Sequence, residues 1–453
     1  MYTVRPARVH KTPLVKFPGR FRHYHRHSAG KLATVPSNGY TGADMAKAYQ
    51  FPTGITAAPP TVWIPELGGG YDSTEIGTWC KSRGLPMPNL SWESVLGAKN
   101  DYTGDPQSAD VEVELDICCV LGAMAYMFGG KPANIIVVFA PNTESGMPAA
   151  YQYVLANAKP GDTCSLSWGG PEDTYTSADI ATMESLLQQL AAKGVTCTFA
   201  SGDNGPDDGE SSPVTDYPGC SAWGVDCGAT TITLRSDGSL ANQVPWNSGG
   251  GASGGGYSKI IGRPPWQTWQ ATAFRAEPDC TANGDPATGW DTPFGVIGGT
   301  SAVAPFMAAY FAGVNALLLA AGKPPLGLPN ALMYANEATC FTDITVGSIG
   351  NGFPATVGWD TASGLGSIKG QAFATTALGG GPVVPVPPPI PPPVPPPVPP
   401  PLPIPAGLTL PQIQRIMDAE TMRLIQLNPY LYRLLPQIDM DYKSKIAAAW
   451  PKS

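Results

Sequence analysis

The hydrophobic pattern changes period several times between residues 108 and 203. "ANIIVVFAP" (133–141), "TCSLSWGG" (163–170) and "GVTCTFASGD" (194–203) are short, mostly apolar runs. Runs of this kind mark strands buried on both faces. "SADVEVELDICCVLGAMAYMF" (108–128) and "SADIATMESLLQQLAAKG" (177–194) instead read as helices. Strands that alternate with helices predict an α/β fold, a parallel sheet flanked by helices on both faces. In such sheets chemistry gathers beyond the carboxyl ends of the strands, which is where Trp168 and Asp203 fall. Residues 300–320 predict one more long apolar helix, with Ser301 at its start.

The pattern also divides the chain. Residues 1–38 carry eight Lys or Arg and no acid, and they lack helical periodicity. They read as a basic, disordered, solvated arm. The rest of the 453 residues holds 19 basic and 35 acidic groups, so a basic leader precedes an acidic body. Residues 39–378 form that body, rich in glycine. From Pro382 to Pro405, 16 of 24 residues are proline, which predicts a polyproline II linker over 379–405. Ordinary composition resumes at 406–453. There Ile413, Ile416, Met417, Leu424 and Leu427 recur at helical spacing before Pro429, predicting a short helical tail.

Composition excludes some function classes. No apolar stretch near Met1 resembles a secretory signal, and none is read as reaching the ~18 residues of a membrane span. There is no CxxC pair among the nine cysteines, which argues against zinc. Cys118, Cys119, Cys164 and Cys197 read as buried thiols. Cys220 and Cys227 are near enough in sequence for a disulfide, a pairing that spacing alone does not decide.

The candidate chemistry starts at "GVIGGTSAVAP" (295–305), where a glycine turn delivers Ser301 into a helix. Unpaired N–H groups and the partial positive charge of a helix N-terminus favour a developing anion there. A nucleophilic serine normally gives its proton to histidine. The four histidines, His10, His23, His25 and His27, all lie in the arm, so the base is a carboxylate, a lysine or a tyrosine. Glu112 and Asp116, spaced i,i+4, share one face of the 108–128 helix, whereas Glu114 is turned about 200° away. Two acids on one face of an apolar helix are costly unless they share a proton or meet a partner. Sharing leaves one of them able to accept the serine proton. Asp203 ends an apolar strand at a glycine turn, where a protonated carboxyl can donate to an oxyanion. Taken singly, these are an N-cap serine, spare acids and a turn aspartate; together they describe a catalytic set.

"VEVELDI", "SLSWGGPED", "ASGDNG", "SGGGYS" and "GGTSAVAP", in this order and spacing, resemble the sedolisins, the serine-carboxyl peptidases. The resemblance covers about residues 40–378, from "YTGADMAKAYQFP" onward. It implies a subtilisin-like α/β fold and an acid-active endopeptidase that works through an acyl-enzyme. By motif, it makes Ser301 the nucleophile, Glu112 the general base and acid, Asp116 the residue that orients Glu112, and Asp203 the oxyanion donor. "SWGG", Ser167, Trp168, Gly169 and Gly170, is similar to the segment that pairs with the substrate backbone. "FTDIT" and "TVGWDTASGLG" are similar to the family's calcium site, and nominate Asp343, Ile344, Thr356, Gly358 and Asp360 for one structural Ca²⁺. Oxygen ligation of that kind suits calcium.

The resemblance makes polypeptides the partners, as substrates, and implies an extracellular or particle-associated setting. Sedolisins are usually made with a long folded prodomain. Here about 39 residues precede the matching region, so the expectation is folding without one or with one supplied by another component. The linker and tail lie outside the family pattern and read as tethers or docking elements for a protein partner. Nucleic acid is not an expected partner. The alternative is a catalytically silent sedolisin-fold module that binds peptides or serves as scaffold; the intact set Glu112, Asp116, Asp203 and Ser301 argues against it.

Overall fold

The computed structural model describes residues 33–268 and 272–380. Most of the basic arm, the Pro-rich linker and the expected helical tail lie outside the described residues.

One sheet dominates. Its strands are β1 (Thr61–Glu66), β2 (Asn89–Ser94), β3 (Asn134–Phe139), β4 (Thr163–Leu166), β5 (Thr196–Ala200), β6 (Val225–Leu234), β7 (Leu240–Pro245), β8 (Cys280–Asn283), β9 (Phe341–Thr342) and β10 (Ser367–Ile368). They run in the order β9-β10-β8-β6-β5-β4-β1-β3-β2, with β7 also paired to β6. The three strands expected at 133–141, 163–170 and 194–203 are β3, β4 and β5. The sheet is mostly rather than wholly parallel: β7 runs antiparallel to β6, and β9 antiparallel to β10. The β6–β7 connection is short enough for a hairpin, which reverses direction without a crossover helix.

Strand pleating sorts side chains between two helical layers. Val62 and Ile64 of β1 face a core with α1 (Gly42–Ala48), α2 (Ser73–Ser82), α3 (Asp110–Met127) and α6 (Thr300–Ala320), whereas Trp63 faces one with α4 (Gly146–Asn157) and α5 (Ser177–Lys193). Helices therefore cover both faces. Glycine lets α1 and α3 cross closely. A Cβ on Gly122 would lie 2.6 Å from the backbone nitrogen of Gly42, closer than any side chain is tolerated.

Helix α6 occupies the centre of its layer, against β4, β5 and β6 on one side and α3 on the other. By length and composition it is apolar enough to cross a membrane, so the expectation that no segment reaches that threshold fails here. All but a few of its residues are buried in the core, which accounts for the composition: a helix surrounded by protein is apolar all round. All nine cysteines are buried and free, so Cys220 and Cys227 form no disulfide.

Candidate active site

The site forms where α3 and α6 meet the ends of β1, β4 and β5. Ser301 sits in the first turn of α6 and is 1% exposed, and none of the described residues hydrogen-bonds its Oγ. The turn before it depends on glycine. Gly299 has φ 135°, and a Cβ there would come within 2.6 Å of Asp203 Oδ2.

Pro305 shapes this end of the helix. It has no N–H to direct at the carbonyl of Ser301, four residues back. The Ser167 hydroxyl reaches that carbonyl instead at 3.2 Å, and the same hydroxyl lies 2.9 and 3.0 Å from the two oxygens of Asp116. One serine from the end of β4 thus ties the acid of α3 to the backbone of Ser301. The helix-breaking residue and the hydroxyl work as a pair.

Asp116 is completely buried. Burial first, then the charges of Glu66 and Glu112, push its carboxyl well above the usual range, while the Ser167 hydroxyl pulls it back. Glu112 is 2% exposed. Asp116 thus lies within electrostatic reach of two further carboxyls, Glu66 and Glu112. No motif in the sequence singles out Glu66. Its Oε2 accepts the indole N–H of Trp168 at 2.7 Å. The available signal was its place, an acid closing the apolar strand "TVWIPE", the same signal that singled out Asp203. Glu114 does face away, yet it meets no solvent. It accepts the backbone N–H of Asp72 at 3.3 Å, and burial raises it to about 8.

Asp203 leaves β5 through Gly202, whose φ is 99°, and turns onto the start of α6. Its Oδ1 accepts both the N–H and the hydroxyl of Thr300, each at 2.7 Å. Burial raises its carboxyl to about 7, against the pull of those two bonds. With Oδ1 occupied as an acceptor, Oδ2, which faces Gly299, is the oxygen left to carry a proton. Thr300 was also missed: a threonine beside the candidate nucleophile gives no sequence sign of gripping an acid 97 residues away.

Of the "SWGG" residues, Ser167 is the bridge just described. Trp168 is 4% exposed and packs in the α4–α5 layer, so its indole serves Glu66 and the core. Gly169 allows a close approach, since a Cβ there would lie 1.9 Å from Asp216 Oδ1. Gly170–Pro171 pairs antiparallel with Asp216–Tyr217.

The five calcium candidates form a separate cluster. Asp343 Oδ2 accepts from Gly358 N at 2.9 Å, and Asp360 Oδ2 from Thr356 N at 2.6 Å. The Ser363 hydroxyl spans Asp360 Oδ1 at 3.0 Å and the Ile344 carbonyl at 3.4 Å. Glu337 is close enough for its carboxyl to be raised, by burial first and then by Asp343. At Thr356 and Gly358 it is the backbone N–H that meets the carboxylates, and the carbonyl in contact with the cluster is that of Ile344. Among the described residues, no group of three or more His, Cys, Asp or Glu side chains is arranged to hold a metal.

No family model matches the chain. Kumamolisin of Bacillus sp. (strain MN-32) is 41% identical over 355 residues, which span 73% of this chain and 62% of kumamolisin. The chain belongs to the sedolisin family. Sedolisin of Pseudomonas sp. (strain 101) is 28% identical over 374 residues, 76% of this chain and 62% of that protein. The chain thus spans about 62% of the length of these two curated relatives. Among solved structures, a Pseudomonas sedolisin, a serine-carboxyl proteinase complexed with two molecules of pseudo-iodotyrostatin, superposes with TM-score 0.64. It does so at 22% identity, covering 76% of this chain and 100% of that one. The fold of this family member is accordingly subtilisin-like α/β, a mostly parallel sheet flanked by helices.

Proposed function

We propose that this sedolisin-family chain is an acid-active serine-carboxyl endopeptidase that hydrolyses peptide bonds through an acyl-enzyme on Ser301. In this reading Ser301 Oγ attacks the scissile carbonyl and Glu112 accepts its proton. Asp116 holds Glu112 in place by sharing a proton with it. The resulting oxyanion receives a hydrogen bond from protonated Asp203, and Glu112 returns its proton to the leaving amine. Water then repeats the sequence to release the acid.

The observation that carries the reading is the Ser167 hydroxyl, whose single proton lies within reach of both Asp116 and the carbonyl of Ser301. It fixes the α3 carboxyls to the nucleophile without a histidine. That no described residue hydrogen-bonds Ser301 Oγ fits a site that tightens around substrate. To test it, the purified chain is incubated with a denatured protein at about pH 4 and about pH 8. Fragments are expected in acid only; an intact substrate at every acidic pH overturns the reading.

Calcium belongs to the same proposal. Asp343 and Asp360, with the carbonyls of Ile344, Thr356 and Gly358, would hold one ion, which supplies charge compensation and a cross-link between loops rather than chemistry. Chelation at about pH 6, where most carboxylates are ionised, is expected to lower Tm by about 5–10 °C. Asp360→Ala is expected to abolish that response. An unchanged Tm on chelation contradicts the assignment.

A further inference from the structure

Two turns meet at the head of α6, and Thr300 joins them. Its N–H and its hydroxyl both donate to Oδ1 of Asp203 at 2.7 Å, and its Oγ1 accepts the backbone N–H of Gly202 at 3.2 Å. These bonds tie the turn that follows β5 to the residue immediately before Ser301. Thr300 is completely buried, so the clasp is shielded from bulk solvent.

The proposed chemistry asks more of Asp203 than a carboxyl. An oxyanion donor must carry its proton on the oxygen that faces the reacting carbonyl, and a carboxyl free to turn can present either oxygen. The Thr300 hydroxyl has one proton to give. The Gly202 N–H approaches its oxygen, and the proton is directed at Asp203 Oδ1. Oδ1 thus meets two donors, which makes it a poor place for a proton of its own. Oδ2 is left to hold that proton. Gly299 keeps this side clear, because a Cβ there would lie 2.6 Å from Oδ2.

We infer that Thr300 is a positioning residue for the oxyanion donor: its N–H and hydroxyl pin Oδ1 of Asp203, so that the carboxyl presents its proton from Oδ2. The inference deepens the peptidase reading and rests on it. The clasp has a consequence for titration. A hydrogen bond given to a carboxylate favours the ionised form. The Thr300 hydroxyl therefore draws the titration of Asp203 down, against burial and the facing carboxyls of Asp208 and Asp216. Losing the hydroxyl should let Asp203 keep its proton to higher pH while holding it less well aimed.

The test compares the wild-type chain with Thr300→Val, which loses the hydroxyl and keeps the N–H, and with Thr300→Ser, which keeps both. The titration of Asp203 is read from its Cγ resonance in chain labelled with ¹³C-aspartate, assigned by its absence in Asp203→Asn. On the same samples kcat is measured with a peptide substrate at about pH 4. Thr300→Val is expected to raise the Asp203 midpoint by about one pH unit and to lower kcat about tenfold. Thr300→Ala, which leaves room for water at the Gly202 N–H, is expected to repeat both changes. Thr300→Ser is expected to keep the midpoint and a kcat within about twofold of wild type. Added to Asp203→Ala, Thr300→Val is expected to cost no more than about twofold further, because no carboxyl remains to be held. A midpoint unmoved by both the valine and alanine variants, a serine variant as slow as they are, or a full further loss on top of Asp203→Ala overturns the positioning role alone. A folded wild type that cleaves nothing overturns the peptidase reading and the positioning role with it.

Discussion

Ser301→Ala is expected to lower kcat/KM for a peptide substrate in acid by about 10³–10⁶-fold. The expected fold of the variant is unchanged, because the lost oxygen has no hydrogen-bond partner among the described residues and alanine is a strong helix former. The loss therefore measures chemistry. What remains is the rate supported by substrate binding and the Asp203 donor, since members of a catalytic set fail together rather than additively. The assay pairs initial rates at about pH 4 with far-UV circular dichroism of the same samples. Equal rates for variant and wild type mean that another group is the nucleophile. A wild type without activity favours the silent scaffold.

Asp203 separates two kinds of defect. Asp203→Ala removes the proposed oxyanion donor and leaves the Thr300 N–H and hydroxyl without the oxygen they now share. The expected cost is about 10²–10³-fold in kcat, the usual loss for one such donor. Asp203→Asn keeps an oxygen for Thr300 and an NH₂ group at the position of Oδ2, so its kcat is expected within about tenfold of wild type. Rates of the two variants under saturating substrate check the ranking. An asparagine variant as slow as the alanine one places the role of Asp203 in something other than hydrogen-bond donation.

Acid pH also bears on stability. Asp203 and Glu184 are raised to about 7 and Glu114 to about 8, in each case chiefly by burial. A carboxyl whose folded pKa lies above its unfolded value binds its proton more tightly when folded. Its contribution to stability is complete below about pH 4 and is lost as pH rises through 7 to 8. The fold and the proposed chemistry thus favour the same side of neutrality.

The sequence made the main elements legible because their periods are strong. Helices α3, α5 and α6 fall within a few residues of 108–128, 177–194 and 300–320, and the buried strands β3, β4 and β5 lie inside their apolar runs. Short strands such as β9 and β10, two residues each, are set by tertiary pairing and carry no period of their own. The same distinction holds in the site. Glu112 and Asp116 were visible because helical spacing is local information. Glu66 and Thr300 were not, because their meaning lies in contacts with Trp168 and Asp203 at sequence distances of 102 and 97. Ser167 was nominated for pairing with substrate. Its hydroxyl lies against Asp116 and the Ser301 carbonyl, a contact that no local spacing announces.

If carboxyls alone serve the serine, the pH dependence of kcat/KM carries their signature. Measured side by side for wild type and Asp203→Asn, the wild-type value is predicted to be highest in acid and to fall steeply toward neutrality. That fall combines deprotonation of Asp203 with loss of the proton shared by Glu112 and Asp116. The Asp203→Asn limb is predicted to be shallower by one proton, because an amide has none to lose. A wild-type value that rises toward neutral pH, as for a histidine-served serine, would contradict the account, and so would identical limbs in the two proteins.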